Sequence, residues 1–405
     1  MTRHRRSRSV LAILENDDLL WEILLRLPSQ PSSLLRASIV CKRWRRLAAY
    51  PKFLRQFYQH HRKPPLLGFF EYRDGIMFTP VLDPHDRIPL VRFDLLRYGG
   101  HHDDDSVLCF PIENYVLGCR HGLVLIGDHL RREVIVCDPI TGKQCPVAVP
   151  LELQREWFNG AVLCAARDQG HVHGTCHSSP FKVVLVSMYR EYRSIYGSPI
   201  ARVYSSETNT WSGLISIEAS RNNCVYFGPS TLVGSVLYWP SHNWGDKILE
   251  FDLDTQNLTV IKGPPGVNYS DNFQIIQAED GAVGIAVLSY NTLPLWQRMV
   301  NNRGDAIWLS CKIVPLHNLI NIPPRTGRKR ECLRLVGYDE ATDVIFLGTH
   351  DSVYMVQRNS MQTRKLNVTH SLYRCYPFTS FYPPDDPHVD CPKFYLRFVV
   401  SQSIS

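Results

Sequence analysis

Residues 171–177 read HVHGTCH and place His171, His173, Cys176 and His177 inside one short loop. Neutral imidazole nitrogens and cysteine thiolates are the usual donors to zinc. Donors crowded this closely suit a tetrahedron poorly, and no distant donor pair is indicated. The expectation is therefore a polar insertion loop with no metal. HHDDD at 101–105 reads likewise as an exposed loop. No phosphate-cradling glycine loop, nucleophile elbow, His-Glu-x-x-His helix or dinucleotide fingerprint occurs. Asp252 and Asp254 sit together in a turn, where carboxylates cap backbone N–H groups rather than share acid–base work. TGRKRE at 326–331 reads as a solvated loop between strands. The sequence spells out neither a catalytic constellation nor a cofactor site.

The totals narrow the class. At 405 residues, 44% apolar and 20% charged, the chain is globular and long enough for a sizeable core. No apolar run reaches the length needed to cross a membrane as a helix. The basic leader meets Glu15, Asn16, Asp17 and Asp18 after a short apolar run, which is no secretory signal. The twelve cysteines include no C-x-x-C pair, as expected of buried free thiols in the cytosol or nucleus. The net charge of +7 is concentrated at one end, because residues 1–62 carry 13 Lys/Arg against 4 Asp/Glu. A nucleic-acid-binding body would spread its basic residues differently.

Beyond Pro64-Pro65 the chain must be β-structure. Short runs such as GLVLI (122–126), EVIVCD (133–138), KILEFD (247–252) and VIFLG (344–348) alternate with Gly, Pro, Asn and Asp clusters. VIVCDPITGKQ, ARVYSSETNTW, ILEFDLDTQNL and LVGYDEATDVI each join an apolar strand to a D/S-x-x-T turn. Asp or Ser at the head of such a turn accepts from backbone N–H groups two residues on. The threonines, at 141, 208, 255 and 342, suggest a unit of about 45 residues, which is propeller-blade size. Tyr204 and Trp211 stand seven apart across one of these turns, as in kelch blades, although the kelch double glycine is missing. A β-sandwich is the competing arrangement. Ring closure is favoured because it removes exposed sheet edges. The longer loops available for recognition are 166–181, 190–199, 291–305 and 321–331.

Ahead of this body stands DDLLWEILLRLPSQPSSLLRASIVCKRWRRL (17–47). Leu19, Leu20, Ile23, Leu24 and Leu27 fall on one helical stripe, capped by Asn16 or Asp17 and ended by Pro28. Ser32 or Ser33 opens a second helix with Leu34 and Leu35. A third carries Val40, Cys41, Trp44 and Leu47 against a basic face. Three helices in about 35 residues are too small to stand alone, so the stretch reads as half of an interface. Its rivals are a helical subdomain packed on its own body and a helix-turn-helix DNA reader.

These residues resemble the F-box, through Asp17–Leu20, Glu22–Leu24, Arg26–Pro28, Ser33–Arg36 and Val40–Trp44. Residues 50–70 resemble the extension found in large grass F-box families. The family's opening Leu-Pro falls here on Glu15-Asn16. The body resembles the F-box-associated β-propeller of plant F-box proteins. The resemblance implies an α+β multidomain chain: a small N-terminal three-helix F-box followed by an all-β, kelch-like propeller of about six to seven blades. Its bounds would be a basic disordered leader at 1–12, the F-box at 13–62, the propeller at 63–400 and a tail at 401–405. It implies a non-catalytic substrate-recognition subunit of a cullin–RING ubiquitin ligase. The F-box would dock on a Skp-family adaptor through Leu19, Leu20, Ile23, Leu24, Leu27, Pro28, Leu34, Leu35, Val40, Cys41 and Trp44, while the propeller binds a target protein. No catalytic, cofactor or metal residue, no nucleic acid and no membrane is implied. A propeller hydrolase or glycan-processing enzyme with a helical leader is the alternative.

Overall fold

In the computed structural model, residues 16–73, 75–95, 114–154, 157–190, 197–217, 228–240, 247–267, 272–289, 292–301, 303, 305–320, 333–368 and 370–382 are described. The leader at 1–12, HHDDD, the 321–331 loop and the 401–405 tail lie outside them.

Helix α1 (Asp17–Leu25) is capped by Asn16, whose side chain accepts from the N–H groups of Asp18 and Leu19. The residue that replaces the family's proline is thus the cap. Asp17 and Asp18 add negative charge at the positive end of the helix dipole. Helix α2 (Pro31–Val40) starts at Pro31 rather than at a capping serine, since proline's fixed φ suits a first helical position. Ser32 is buried and donates instead to Asp86 of the body. One extended residue, Cys41, separates α2 from α3 (Lys42–Ala48). A fourth helix, α4 (Pro51–His61), comes from the 50–70 extension and buries Phe53 and Phe57 at i and i+4. The sequence reading placed three helices here; α4 completes their core. Leu20, Leu24, Leu34, Ala37, Phe53 and Phe57 form that core.

The body is a six-bladed propeller. Blade 1 pairs β1 (Leu66–Tyr72) with β2 (Ile76–Pro80) and with the C-terminal β24 (Tyr376–Thr379). Blade 2 comprises β3 (Asn114–Arg120) to β6 (Lys143–Ala148). Blade 3 runs from β7 (Phe158–Cys164) to β11 (Ile215–Ser216), and blade 4 from β12 (Thr231–Val233) to β15 (Asn257–Lys262). Blade 5 runs from β16 (Phe273–Gln277) to β19 (Ala306–Pro315), and blade 6 from β20 (Arg334–Asp339) to β23 (Thr363–Asn367). Every pairing is antiparallel, and β24 packs between β20 and β3. The last strand therefore supplies the inner strand of the first blade and joins the two ends of the ring in one sheet, leaving each blade's outer strand as a short edge.

Six apolar clusters fill the six gaps between neighbouring blades. The gap between blades 3 and 4 holds Trp239 and Phe251, and the closing gap between blades 6 and 1 holds Phe69 and Phe346. The turns behave as the sequence suggested. Asp138 accepts from the N–H of Ile140 at 3.0 Å and from the Thr141 hydroxyl at 2.7 Å. Asp252 accepts from Thr255 N at 2.8 Å and Asp339 from Thr342 N at 2.8 Å. In all four turns the fifth residue adopts a positive φ: Gly142, Asn209, Gln256 and Asp343. Three of these turns join the two outer strands of blades 2, 3 and 4. The fourth joins β20 to β21 (Val344–Gly348), the inner pair of blade 6. The interval from Thr255 to Thr342 is therefore not two whole units. Trp211 pairs with Tyr204 in register, with ring centroids 5.4 Å apart.

Candidate functional site

The head's apolar stripe splits in two. Leu20, Leu24 and Leu34 are sealed in the four-helix core. Leu27, Leu35 and Trp44 are half-buried. Leu19, Ile23, Pro28, Val40 and Cys41 face outward. Ile39, which the sequence reading passed over, joins them at 45% exposed, beside Val40 at 61%. On α1 the division follows helical geometry: Leu20 and Leu24 lie one turn apart on the inner face, and Leu19 and Ile23 lie one turn apart outside. The missed signal was a second i, i+4 pair interleaved with the first. A groove of about 550 Å³ opens beside Val40, lined also by Leu27, Pro28, Arg36 and Trp44 and by His85 of the body.

The head is tied to one face of the propeller. The Tyr58 ring on α4 lies 4.7 Å from Phe381, and Gln59 donates to the Gly170 carbonyl at 3.1 Å. Phe381 N in turn donates to the Gly174 carbonyl at 3.1 Å. Gly174 has φ +94, and a Cβ there would stand 2.8 Å from Pro64, so chain direction and space both demand glycine. The 166–181 segment, one of the four expected recognition loops, thus faces the head. Another, 291–305, is largely strand β18 (Thr292–Val300). Of 190–199, residues 197–199 already belong to β9 (Gly197–Ser205).

The same 166–181 segment gathers chemistry that the sequence reading declined. Cys164, at the end of β7, brings its sulfur 3.3 Å from His171 Nε2. His171 Nε2 is also 3.3 Å from Cys176 Sγ, which lies 3.7 Å from His173 Nδ1. His177 points elsewhere and pairs through Nδ1 with Asp138 at 2.9 Å. His121 accepts from Cys164 N at 3.0 Å and stacks on His173 with centroids 3.7 Å apart. Burial, with the neighbouring His173 and Arg120 charges, holds the His121 imidazole neutral, well below its usual range. A hydrogen bond from Cys176 pulls the Cys164 thiol down to about 4, and the same bond with burial pushes Cys176 up. Cys164 was missed because it sits in a strand, seven residues before His171.

Near the propeller axis Arg120 pairs with Glu340, and Glu340 accepts from Leu232 N at 2.7 Å. Blades 2, 4 and 6 are tied together there. Among the described buried carboxylates, Asp343 pairs with Arg358 at 2.7 Å, and Asp128, Asp138, Asp339 and Glu71 each have a local role. The three aspartates cap their own turns, and Glu71 accepts from Thr79 and pairs with His370.

Residues 115–385 match the family model described as F-box protein AT5G49610-like, beta-propeller, and residues 17–60 match the F-box-like model. A relative, the F-box/kelch-repeat protein At3g61590 of Arabidopsis thaliana, is 26% identical over 258 residues, covering 61% of this chain and 56% of that protein. The matched stretch therefore spans little more than half of that relative's length. Similar solved structures include a calcium-binding regucalcin of Agrobacterium tumefaciens, at TM-score 0.32 and 14% identity over 63% of this chain and 76% of that one. A chain of the mitotic checkpoint complex gives TM-score 0.31 and 12% identity over 67% and 76%. These scores are too low to bear on function.

Proposed function

This chain belongs to the F-box protein β-propeller family, and on that premise we propose that it is a non-catalytic specificity subunit of a cullin–RING ubiquitin ligase. The head docks on a Skp-family adaptor, and the propeller holds a target protein. The observation that carries this reading is the open apolar surface of Leu19, Ile23, Ile39 and Val40 on a head whose own core closes without them. Large apolar side chains left in water on so small a domain favour a covering partner. The eleven residues of the F-box resemblance then divide by role. Leu20, Leu24 and Leu34 hold the helices together. Leu19, Ile23, Pro28, Val40 and Cys41 meet the adaptor, with Leu27, Leu35 and Trp44 at the border.

The chain's contribution to ubiquitin transfer is proximity. A target held on the propeller has its lysines at raised effective concentration beside the charged enzyme, with no reacting group from this chain. The contacts of Tyr58, Gln59 and Ser32 with the body support a fixed angle between adaptor and target. The face away from the head is left for the target. We place this work in the cytosol or nucleus, where free thiols stay reduced.

Affinity purification of the tagged full chain from cells with the proteasome blocked tests the proposal. Adaptor and cullin should co-purify with the wild type and be lost from the Ile23→Asp/Val40→Asp variant. Recovery of neither from the wild type, or equal recovery from both, would overturn it.

A further inference from the structure

We propose that Cys164, His171, His173 and Cys176 form a structural zinc site that pins the 165–180 loop, the surface on which the helical head rests. The four donor atoms lie within 4.8 Å of one another. A tetrahedral zinc with ordinary bond lengths of about 2.3 Å to sulfur and about 2.0 Å to nitrogen requires sulfur–nitrogen separations of about 3.5 Å. The separations of 3.3, 3.3 and 3.7 Å fit that requirement. Two sulfurs and two imidazoles in a tetrahedral array select zinc over the harder magnesium and calcium. Two thiolates also neutralise the ion, which suits a site where Cys176 is buried, Cys164 and His171 are half-buried and His173 forms the exposed rim.

The surroundings are those of a metal site rather than a chance cluster. His173 is held by its stack on His121, and Ala166 N donates to the Cys164 sulfur at 3.4 Å. His121 accepts the Cys164 N–H, which fixes the backbone that carries the first ligand. Such outer contacts orient ligands. The nearby His177 is committed to Asp138 and supplies an internal control. The consequence is mechanical. Three of the ligands flank Gly170 and Gly174, whose carbonyls receive Gln59 of the head and Phe381 of the C-terminal segment. A metal here fixes both acceptors and so sets the angle between head and propeller.

The test measures zinc bound to the purified full chain by elemental mass spectrometry, alongside the absorption of the cobalt(II)-loaded protein. The expected result is one zinc per chain and a tetrahedral cobalt spectrum with thiolate-to-cobalt charge transfer. Cys164→Ser and Cys176→Ser should lose the stoichiometric zinc, whereas His177→Ala should keep it. Because the cobalt spectrum of the wild type needs no variant, a misfolded mutant leaves the test intact. A wild type that holds neither metal, a cobalt spectrum without thiolate bands, or full zinc retention by Cys164→Ser would each overturn the site. Chelation should speed amide exchange in 165–180 and α4. Unchanged exchange would remove the pinning role.

Discussion

Replacing Ile23 and Val40 together by alanine separates the interface from the core of the head. Ile23 is 39% exposed and Val40 61% exposed. Complete burial of such a side chain stabilises by roughly 1.5–3 kcal/mol, so an adaptor that covers the exposed fractions gains about 2 kcal/mol from the pair. Losing that gain weakens the complex by about 30-fold, at 1.4 kcal/mol per tenfold change. Aspartate at the same positions adds the cost of taking an unpaired carboxylate out of water, several kcal/mol more, and abolishes detectable binding. The isolated chain should scarcely notice either change, since exposed substitutions usually alter stability by no more than about 0.5 kcal/mol. Leu20→Ala is the counterpart. Leu20 is fully buried, and its truncation should destabilise the head by about 2–5 kcal/mol. Titration calorimetry against a purified Skp-family adaptor, with thermal melts of each variant, makes the measurement. Binding of the double alanine variant within about threefold of wild type, or an affinity that falls only in step with its melting temperature, would exclude Ile23 and Val40 from the interface.

Burial lifts the Asp339 carboxyl to about 6 despite its hydrogen bonds to Thr342. The folded state therefore holds this proton more tightly than the unfolded chain, so the resulting stability is fully present below the ordinary carboxylate range and is lost as pH rises through about 6. Melts of Asp339→Asn and wild type from pH 4 to 7 should diverge in the variant's favour up to about pH 6 and then run parallel; a constant difference would contradict the assignment. Glu340→Ala strands the buried Arg120 guanidinium and should cost about 3–5 kcal/mol in denaturant unfolding, whereas Arg120→Met/Glu340→Leu should cost less; equal losses would contradict a paired role. A Cβ at Gly337 would meet the Cys375 carbonyl at 2.9 Å across the closing seam, so Gly337→Ala should destabilise by about 1–3 kcal/mol, and an unchanged melt would show the seam to be looser than described.

Much of the architecture is written in local chemistry. The D-x-x-T turns are legible because one side chain satisfies the turn's own backbone. Tyr204 and Trp211 are legible because a hairpin of known length sets them opposite one another. The Thr342 turn misleads on spacing because the same chemistry serves an inner hairpin as well as outer ones. Ring closure by β24 joins residues some 300 positions apart, Phe70 with Tyr376, which no window along the chain connects. On the head, the apolar pattern gives the helices but not which apolar residue faces in, because α4 arrives to cover Leu20 and Leu24 and leaves Leu19 and Ile23 outside. The zinc ligands were half legible. Three stand together in HVHGTCH, while the fourth, Cys164, looks like any strand-end cysteine until the loop folds back upon it.

Amide hydrogen exchange of the full chain, alone and mixed with a Skp-family adaptor, reads out whether the outer face of the head is the docking surface. Exchange should slow only in α1, α2 and α3, around Leu19, Ile23 and Val40, with the blades unchanged. Exchange unaltered in the head, or slowed only on the propeller, would contradict it.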